Sequence, residues 1–365
     1  MVTEEMKARS RTFFGNPRGI LCAMEKARRG ENVTYVALGG SITQGACASR
    51  KENCYAALVA AWWEKTFPES QLRFVNAGIG ATGSLIGLHR ANRDVLAYAP
   101  DFITVEFGVN DTAVRNLPTA EPAYANLLHK LVNAPGSPGV LALNMATEEG
   151  EHMQHLHLPI ARHYGVPYVS FADAVLPEWE RDPALAKVWL KDGTHPTDTG
   201  YAVAAALVCD YLERLLSLSS KDFGDTRVET PYSRLNWQGA EMVCVGDGPC
   251  QMGCFEKGKT AISKIPYGWR AEKNGEPLVL RFENCTRIHV LYEYTNKGTG
   301  GKVLCDVNGR QTELNSDFVN GYGIYAHNVT VFESDAPEAA TLTLTPMLEE
   351  GRSFTLMAVL AASRR

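Results

Sequence analysis

Four short stretches of this chain carry residue types suited to acyl transfer through a serine. The first is Leu38-Gly39-Gly40-Ser41-Ile42-Thr43-Gln44-Gly45. An apolar, β-branched run precedes it, and its two glycines permit a sharp turn that would expose the Ser41 hydroxyl where a strand ends. That hydroxyl is a poor nucleophile until a base takes its proton. Asp192-Gly193-Thr194-His195-Pro196 supplies a candidate base. At this spacing, in a turn restricted by Gly193 and Pro196, Asp192 can hold one ring nitrogen of His195 and leave the other facing outward. The same pattern also suits a plain helix cap beside a bystander histidine. Asn110, in Gly108-Val109-Asn110-Asp111, brings an amide that can donate to a developing oxyanion. The Ser41 N–H is a second donor, and the glycine-rich residues 76–83 expose further backbone N–H groups.

These residues need elements that bring them to one edge. Strand-like runs at 33–38, 72–76, 102–107, 139–144 and 167–170 alternate with helical patterns at 17–30, 55–67, 85–97, 122–132, 151–164 and 197–216. In the first helix Ile20, Leu21, Met24 and Ala27 share a face. Ala57, Leu58, Ala61 and Trp62 are expected towards the sheet, with Trp62-Trp63 divided between core and an interface. In the last helix Tyr201, Ala204, Leu207, Val208 and Leu212 form the inner face. A loop is expected around Pro177 and Pro183. Such alternation predicts an α/β fold, a flavodoxin-like, five-stranded parallel sheet covered on both faces, with ligands beyond the carboxyl ends of its strands. Ser41, the glycine-rich loop and Asn110 all follow strands directly. At 219–225 the composition turns linker-like, so the first domain is expected over 1–218. From 226 to 365 short runs spaced by Gly, Pro and Asn predict an all-β sandwich or jelly roll, with an Asn308-Gly309 hairpin signal.

Bulk properties exclude some functions. The chain has 365 residues, is 45% hydrophobic and 21% charged, and carries a formal net charge of −5. That balance offers no basic excess for a nucleic acid. No run approaches a membrane span of ~20 apolar residues. The opening Met1-Val2-Thr3-Glu4-Glu5-Met6-Lys7 lacks an apolar export segment, so reduced thiols and a cytoplasmic protein are expected. Cys22, Cys47, Cys54 and Cys209 read as small buried hydrophobes. Cys250 and Cys254, near Cys244, lack the second close pair of a zinc knuckle. Between Glu148 and His157, His152 and His155 could share a helix face; polar substrate contacts or solvated residues are preferred there to a metal. Trp189, just before Asp192, suits either a wall of an acyl pocket or plain packing. Self-association stays open.

The set of four stretches, in this order, resembles the SGNH (GDSL-type) hydrolase family over roughly residues 30–215. The resemblance implies Ser41 as nucleophile, His195 as general base and then acid, and Asp192 as its partner, with no cofactor and no metal. It also implies an oxyanion hole of Ser41, Asn110 and a second-block amide, Gly80 or Ala81. Two positions depart from the pattern. Gly40 stands where the family usually has Asp, and Ala81 falls on the usual donor glycine. A catalytic domain followed by a β-sandwich is similar to two-domain carbohydrate esterases of the family 17 type, which implies an acetylated oligosaccharide from mannan or xylan as substrate. The aromatic residues Trp237, Trp269, Tyr267, Tyr322 and Tyr325 could then stack on sugar faces or simply pack. The alternatives are a general acyl esterase or thioesterase on small esters, and a glycan-binding protein without activity.

Overall fold

The computed structural model describes residues 2–113, 116–237, 239–318 and 323–363. The chain divides into two compact units between Leu235 and Asn236. The first contains α1 (Glu4–Ser10), α2 (Arg18–Arg28), β1 (Val33–Gly39), α3 (Ser41–Gln44), α4 (Tyr55–Thr66), β2 (Leu72–Gly78), α5 (Ser84–Asp94), β3 (Phe102–Glu106), α6 (Leu117–Val132), β4 (Gly139–Asn144), α7 (Gln154–His163), β5 (Tyr168–Ser170), α8 (Phe171–Arg181), α9 (Ala184–Trp189) and α10 (Asp198–Leu215). Its five strands are parallel, in the order β2-β1-β3-β4-β5. This is the doubly wound, flavodoxin-like order, whose crevice opens where the winding reverses beside β1. β3, β4 and β5 are buried at every residue, as strands covered on both faces must be.

Expectations for the first unit shift in several places, among them the start of α6 at Leu117 with Pro122 inside the helix. In α4 the buried face is Tyr55, Ala56, Val59, Ala60 and Trp63, one position away from the expected stripe. The helix is apolar almost all round, so periodicity does not select a face; Trp63 settles it by stacking on Phe102 at 5.4 Å. Trp62 is half-buried and donates to Glu213. Pro177 lies inside α8 rather than in a loop. A proline there leaves the carbonyl four residues back without its helical donor, and the Arg9 guanidinium donates to that Asp173 carbonyl at 3.1 Å instead. Residues 219–225 are not a free linker. The Glu25 carboxylate accepts from the Ser220 N–H and hydroxyl, and Arg18 and Asn16 donate to the carbonyls of Phe223 and Gly224. Tethers continue at Val228 and Tyr232, which places the boundary at 235.

The second unit holds β6 (Glu241–Val243), β7 (Glu256–Lys259), β8 (Tyr267–Ala271), β9 (Leu278–Thr295), β10 (Lys302–Val307), β11 (Arg310–Asn315), β12 (Ile324–Met347) and β13 (Phe354–Ser363). They form one antiparallel sheet in the order β11-β10-β12-β9-β13-β8-β7, with β6 on β13. The sheet curls around one core that collects Trp269, Leu280, Val290, Val303, Leu342 and Leu356. Where the sequence suggests separate short strands, β9 and β12 each run through as one long strand. Register shifts near Thr330, Glu333 and Glu338 let the pair bend without ending, the usual effect of bulges. Asn308 and Gly309, both at positive φ, close the β10–β11 hairpin.

Candidate active site

β1 ends at Gly39, Gly40 caps α3, and Ser41 opens that four-residue helix. The turn is tight because two backbones meet there: a side chain on Gly78, the last residue of β2, would overlap the main chain of Gln44. The Asn76 amide donates to the Thr43 carbonyl at 2.7 Å, tying β2 to α3. Under the turn, the fully buried guanidinium of Arg90 on α5 donates to the carbonyls of Gly39 and Ala77, the ends of β1 and β2, and pairs with Asp94. Burial draws the Arg90 pKa down to about 10, and Asp94 keeps it from falling further.

His195 Nε2 lies 2.8 Å from Ser41 Oγ, and His195 Nδ1 lies 2.8 Å from Asp192 Oδ2. The relay comes from residues 154 positions apart in the chain, brought together because β1 and the turn before α10 end on the same edge. The His195 turn is braced at its base. Lys191 N–H donates to the His195 carbonyl, and Thr197 N–H to the Trp189 carbonyl. Gly193 adopts φ 78, and its carbonyl accepts from Glu148 N–H. Partial burial pushes the Asp192 carboxyl up, but donors from the His195 backbone and ring and from Thr194 N–H outweigh it and hold Asp192 below the usual carboxylate range. Asp192 therefore stays ionised, orients the ring, and stabilises an imidazolium if one forms. A carboxylate, an imidazole and a serine hydroxyl in this line can deprotonate the hydroxyl as it attacks a carbonyl.

The Asn110 side chain lies over the same turn, against Gly40. Its backbone is held in a 3-10 turn over residues 110–112, and its carbonyl accepts from the Asn116 amide at 2.8 Å. In the glycine-rich loop, Gly80 N–H already donates to Gln44 Oε1 at 2.7 Å, so Gln44 must give way before Gly80 could serve an oxyanion. Ala81 adopts φ 56, the left-handed region that costs a residue with a Cβ about 1 kcal/mol, which is why a glycine suits the position.

Other sequence-derived candidates fall elsewhere. Trp189 is buried and packs on Trp179, so it is a wall of the core and not of a pocket. His155 is exposed on α7 and makes none of the relay's hydrogen bonds. Trp237 is 3% exposed, with the Arg287 guanidinium over its ring, and Trp269 is also buried. Neither leaves a ring face open to solvent for a sugar, and Trp269 belongs to the core of the second unit. Tyr267 is exposed, with Lys257 4.4 Å over its ring. Tyr325 packs edge-on to Tyr294 and Phe318, and Tyr322 lies outside the described residues. Cys22 and Cys47 are exposed rather than buried.

Some supporting residues carry no sequence signal of their role. His157, expected near the substrate or in solvent, is buried; its Nε2 meets Asp111 Oδ2 at 3.0 Å, and its ring stacks on Tyr124 at 3.7 Å. Asp111 Oδ1 accepts from Ser84 N–H, so this network props the Asn110 turn from below. Glu106, at the end of β3, accepts from Gly108 N–H through Oε1. Burial pushes its carboxyl up to about 8, against that hydrogen bond and with help from Asp111. An unfolded glutamate titrates near ~4.3. Between these values the folded chain binds the extra proton, so this group's contribution is full below the unfolded pKa and is lost as pH rises through about 8. Glu106→Gln is expected to remove a fall approaching ~1.4 kcal/mol per pH unit across that window. Urea-unfolding midpoints measured from pH 5 to 8 check this, and an unchanged slope in the variant would refute it.

Residues 37–203 match the GDSL-like lipase/acylhydrolase family. The first unit thus carries a GDSL-like domain of the SGNH type, and the protein is a carboxylic ester hydrolase. Over both units it is similar to the crystal structure of a two-domain esterase (CEX) active on acetylated mannans. That match has a TM-score of 0.88 and 27% identity, and covers 96% of each chain. The same esterase co-crystallised with mannopentaose matches with a TM-score of 0.86, at 27% identity over 96% of each chain. No curated protein sequence matches the chain.

Proposed function

We propose that the protein is a serine esterase that removes O-acetyl groups from acetylated oligosaccharides, with mannan-derived fragments as the first class to test. The observation that carries this reading is the likeness to the acetylated-mannan esterase across 96% of both chains, second unit included. In the proposed reaction Ser41 Oγ attacks the acetyl carbonyl while His195 Nε2 takes its proton. Asp192 holds the ring and balances the imidazolium. The tetrahedral oxyanion is received by the Ser41 N–H, the Asn110 side chain and an amide of the Gly80–Ala81 segment. His195 then returns the proton to the departing sugar oxygen, leaving an acetylated Ser41. Water, deprotonated by His195, attacks that ester and releases acetate. The relay is open to solvent, with half of the Asp192 side chain exposed. An open site of this kind favours a small acyl group on a bulky polar alcohol over a long acyl chain.

Acetate release from acetylated manno- and xylo-oligosaccharides should be measured beside a nitrophenyl ester series from acetyl to octanoyl. The expected result is sugar deacetylation together with a kcat/KM that does not rise from acetyl to octanoyl, since an open site offers a longer chain no apolar wall against which to bury its methylenes. A preference for longer acyl chains, with no acetate from the sugars, would establish the general acyl esterase instead.

A further inference from the structure

Between α3 and α4 the chain passes beside the relay, and this segment is pinned. The Tyr201 hydroxyl donates to the Ala46 carbonyl at 2.7 Å, and the Ser49 N–H and hydroxyl donate to Asp198 on α10. Cys47 sits between these anchors in a left-handed conformation, φ 66, with its thiol 3.9 Å from Asp192 Oδ2. One ligand atom each from Cys47, Asp192 and His195 lies within 4.8 Å of the others, the one such convergence of three His, Cys, Asp or Glu groups among the described residues. Cys47 and Asp192 are both exposed and His195 is partly so, which leaves an entry path and room for a solvent ligand.

We propose that Cys47, Asp192 and His195 form an inhibitory site for a thiophilic divalent cation of the zinc class. Zinc takes sulfur at about 2.3 Å and nitrogen or oxygen at about 2.0–2.2 Å, so tetrahedral ligands stand roughly 3.3–3.6 Å apart. The Cys47 thiol at 3.9 Å from Asp192 Oδ2 and the 2.8 Å between that oxygen and His195 Nδ1 lie on either side of that spacing. Hard cations such as magnesium prefer all-oxygen octahedra and gain little from a thiolate and an imidazole. The consequence for catalysis follows from the imidazole. Zinc occupies the Nδ1 lone pair beside Asp192, the proton carried there moves to Nε2, and the Cys47 thiol proton passes to solvent. With Nε2 protonated, His195 has no lone pair for the Ser41 hydroxyl. The ion thus switches off the base without touching the nucleophile. This rests on the assignment of Ser41 and His195 made above for the reaction.

Zinc chloride titrated against nitrophenyl acetate hydrolysis is expected to inhibit the native chain reversibly, with activity restored by a chelator, while magnesium leaves it unchanged. Cys47→Ser should keep its basal activity and need at least about tenfold more zinc for half-inhibition. Cobalt(II) titration supplies a readout without turnover. A thiolate-to-cobalt absorption band is expected in the native chain and in Ser41→Ala, and should be lost in both Cys47→Ser and Asp192→Asn. Equal zinc sensitivity of the native and Cys47→Ser chains overturns the proposal, as does a cobalt band that survives both ligand substitutions. Residual hydrolysis by Ser41→Ala would instead refute the reading of the reaction, and the cobalt spectra would still decide the metal site.

Discussion

Ser41→Ala is expected to lower kcat for acetyl ester hydrolysis by about 10⁵-fold while KM changes little. The reason is that Ser41 Oγ lies 2.8 Å from His195 Nε2, in line with the Asp192 carboxylate beyond it. Removing the nucleophile of a relay that acts as a unit forfeits nearly the whole contribution of that unit, and what remains comes from oxyanion donors and binding. The variant should fold normally, because the partly exposed Ser41 side chain bonds to the equally half-buried His195 ring and removing its hydroxyl leaves the core untouched. Steady-state rates beside a thermal unfolding curve separate these effects. A Ser41→Ala chain with more than a few per cent of native activity would require a different nucleophile. Labelling by a fluorophosphonate probe, present in the native chain and absent in the variant, gives an independent reading of the same side chain.

The second large effect concerns the residue before it. Gly40→Asp restores the residue that the family usually carries there, yet it is expected to cost about 10²–10³-fold in kcat. A Cβ at this position would overlap Asn110 Oδ1, with the Thr82 carbonyl 3.2 Å away on another side. The φ of Gly40, −88, lies on the side that residues with a Cβ use, so the conflict set by the added carbon is the one with its neighbour. Asn110 is the end of a short side chain and can swing aside at little cost to the fold. Swinging aside removes it from the oxyanion role proposed for it, and losing one such donor typically costs ~3–4 kcal/mol of transition-state stabilisation. The expected signature is therefore a large drop in kcat with a nearly unchanged unfolding temperature. Gly40→Ala should show most of the same loss, since the first carbon is already the one that collides. Native activity in Gly40→Ala would show that Asn110 takes no part in the reaction.

The relay was legible in the sequence because each of its parts carries a local signature. Gly39-Gly40-Ser41 follows a β-branched run, and Asp192 and His195 are held three residues apart by Gly193 and Pro196. The parallel α/β layering was legible for a similar reason: strand and helix periods alternate cleanly from Val33 to Leu215. Where a segment lacks contrast, the reading slips. α4 is apolar on every side, so its buried face was off by one residue until Trp63 met Phe102. Pro177 reads as a break because nothing nearby reveals that Arg9, far away in the chain, satisfies the carbonyl it leaves open. β9 and β12 read as shorter separate runs because bulges look like ends when partner registers are unknown.

Local pattern by itself marked out the order of strands and helices along the chain and the candidates for nucleophile, base and oxyanion donor. Tertiary structure alone decided what surrounds them. It placed the Arg90 guanidinium beneath two strand ends, Glu106 and the Asp111–His157 pair beneath the Asn110 turn, and the Cys47 thiol beside Asp192. It also explained Gly40, whose missing side chain makes room for Asn110. The physical reason is one of range. Turn chemistry and periodicity act within a few residues and are written in adjacent letters. Burial, steric exclusion and hydrogen bonding between residues 50 or 150 positions apart exist only once the sheet has brought its strand ends together.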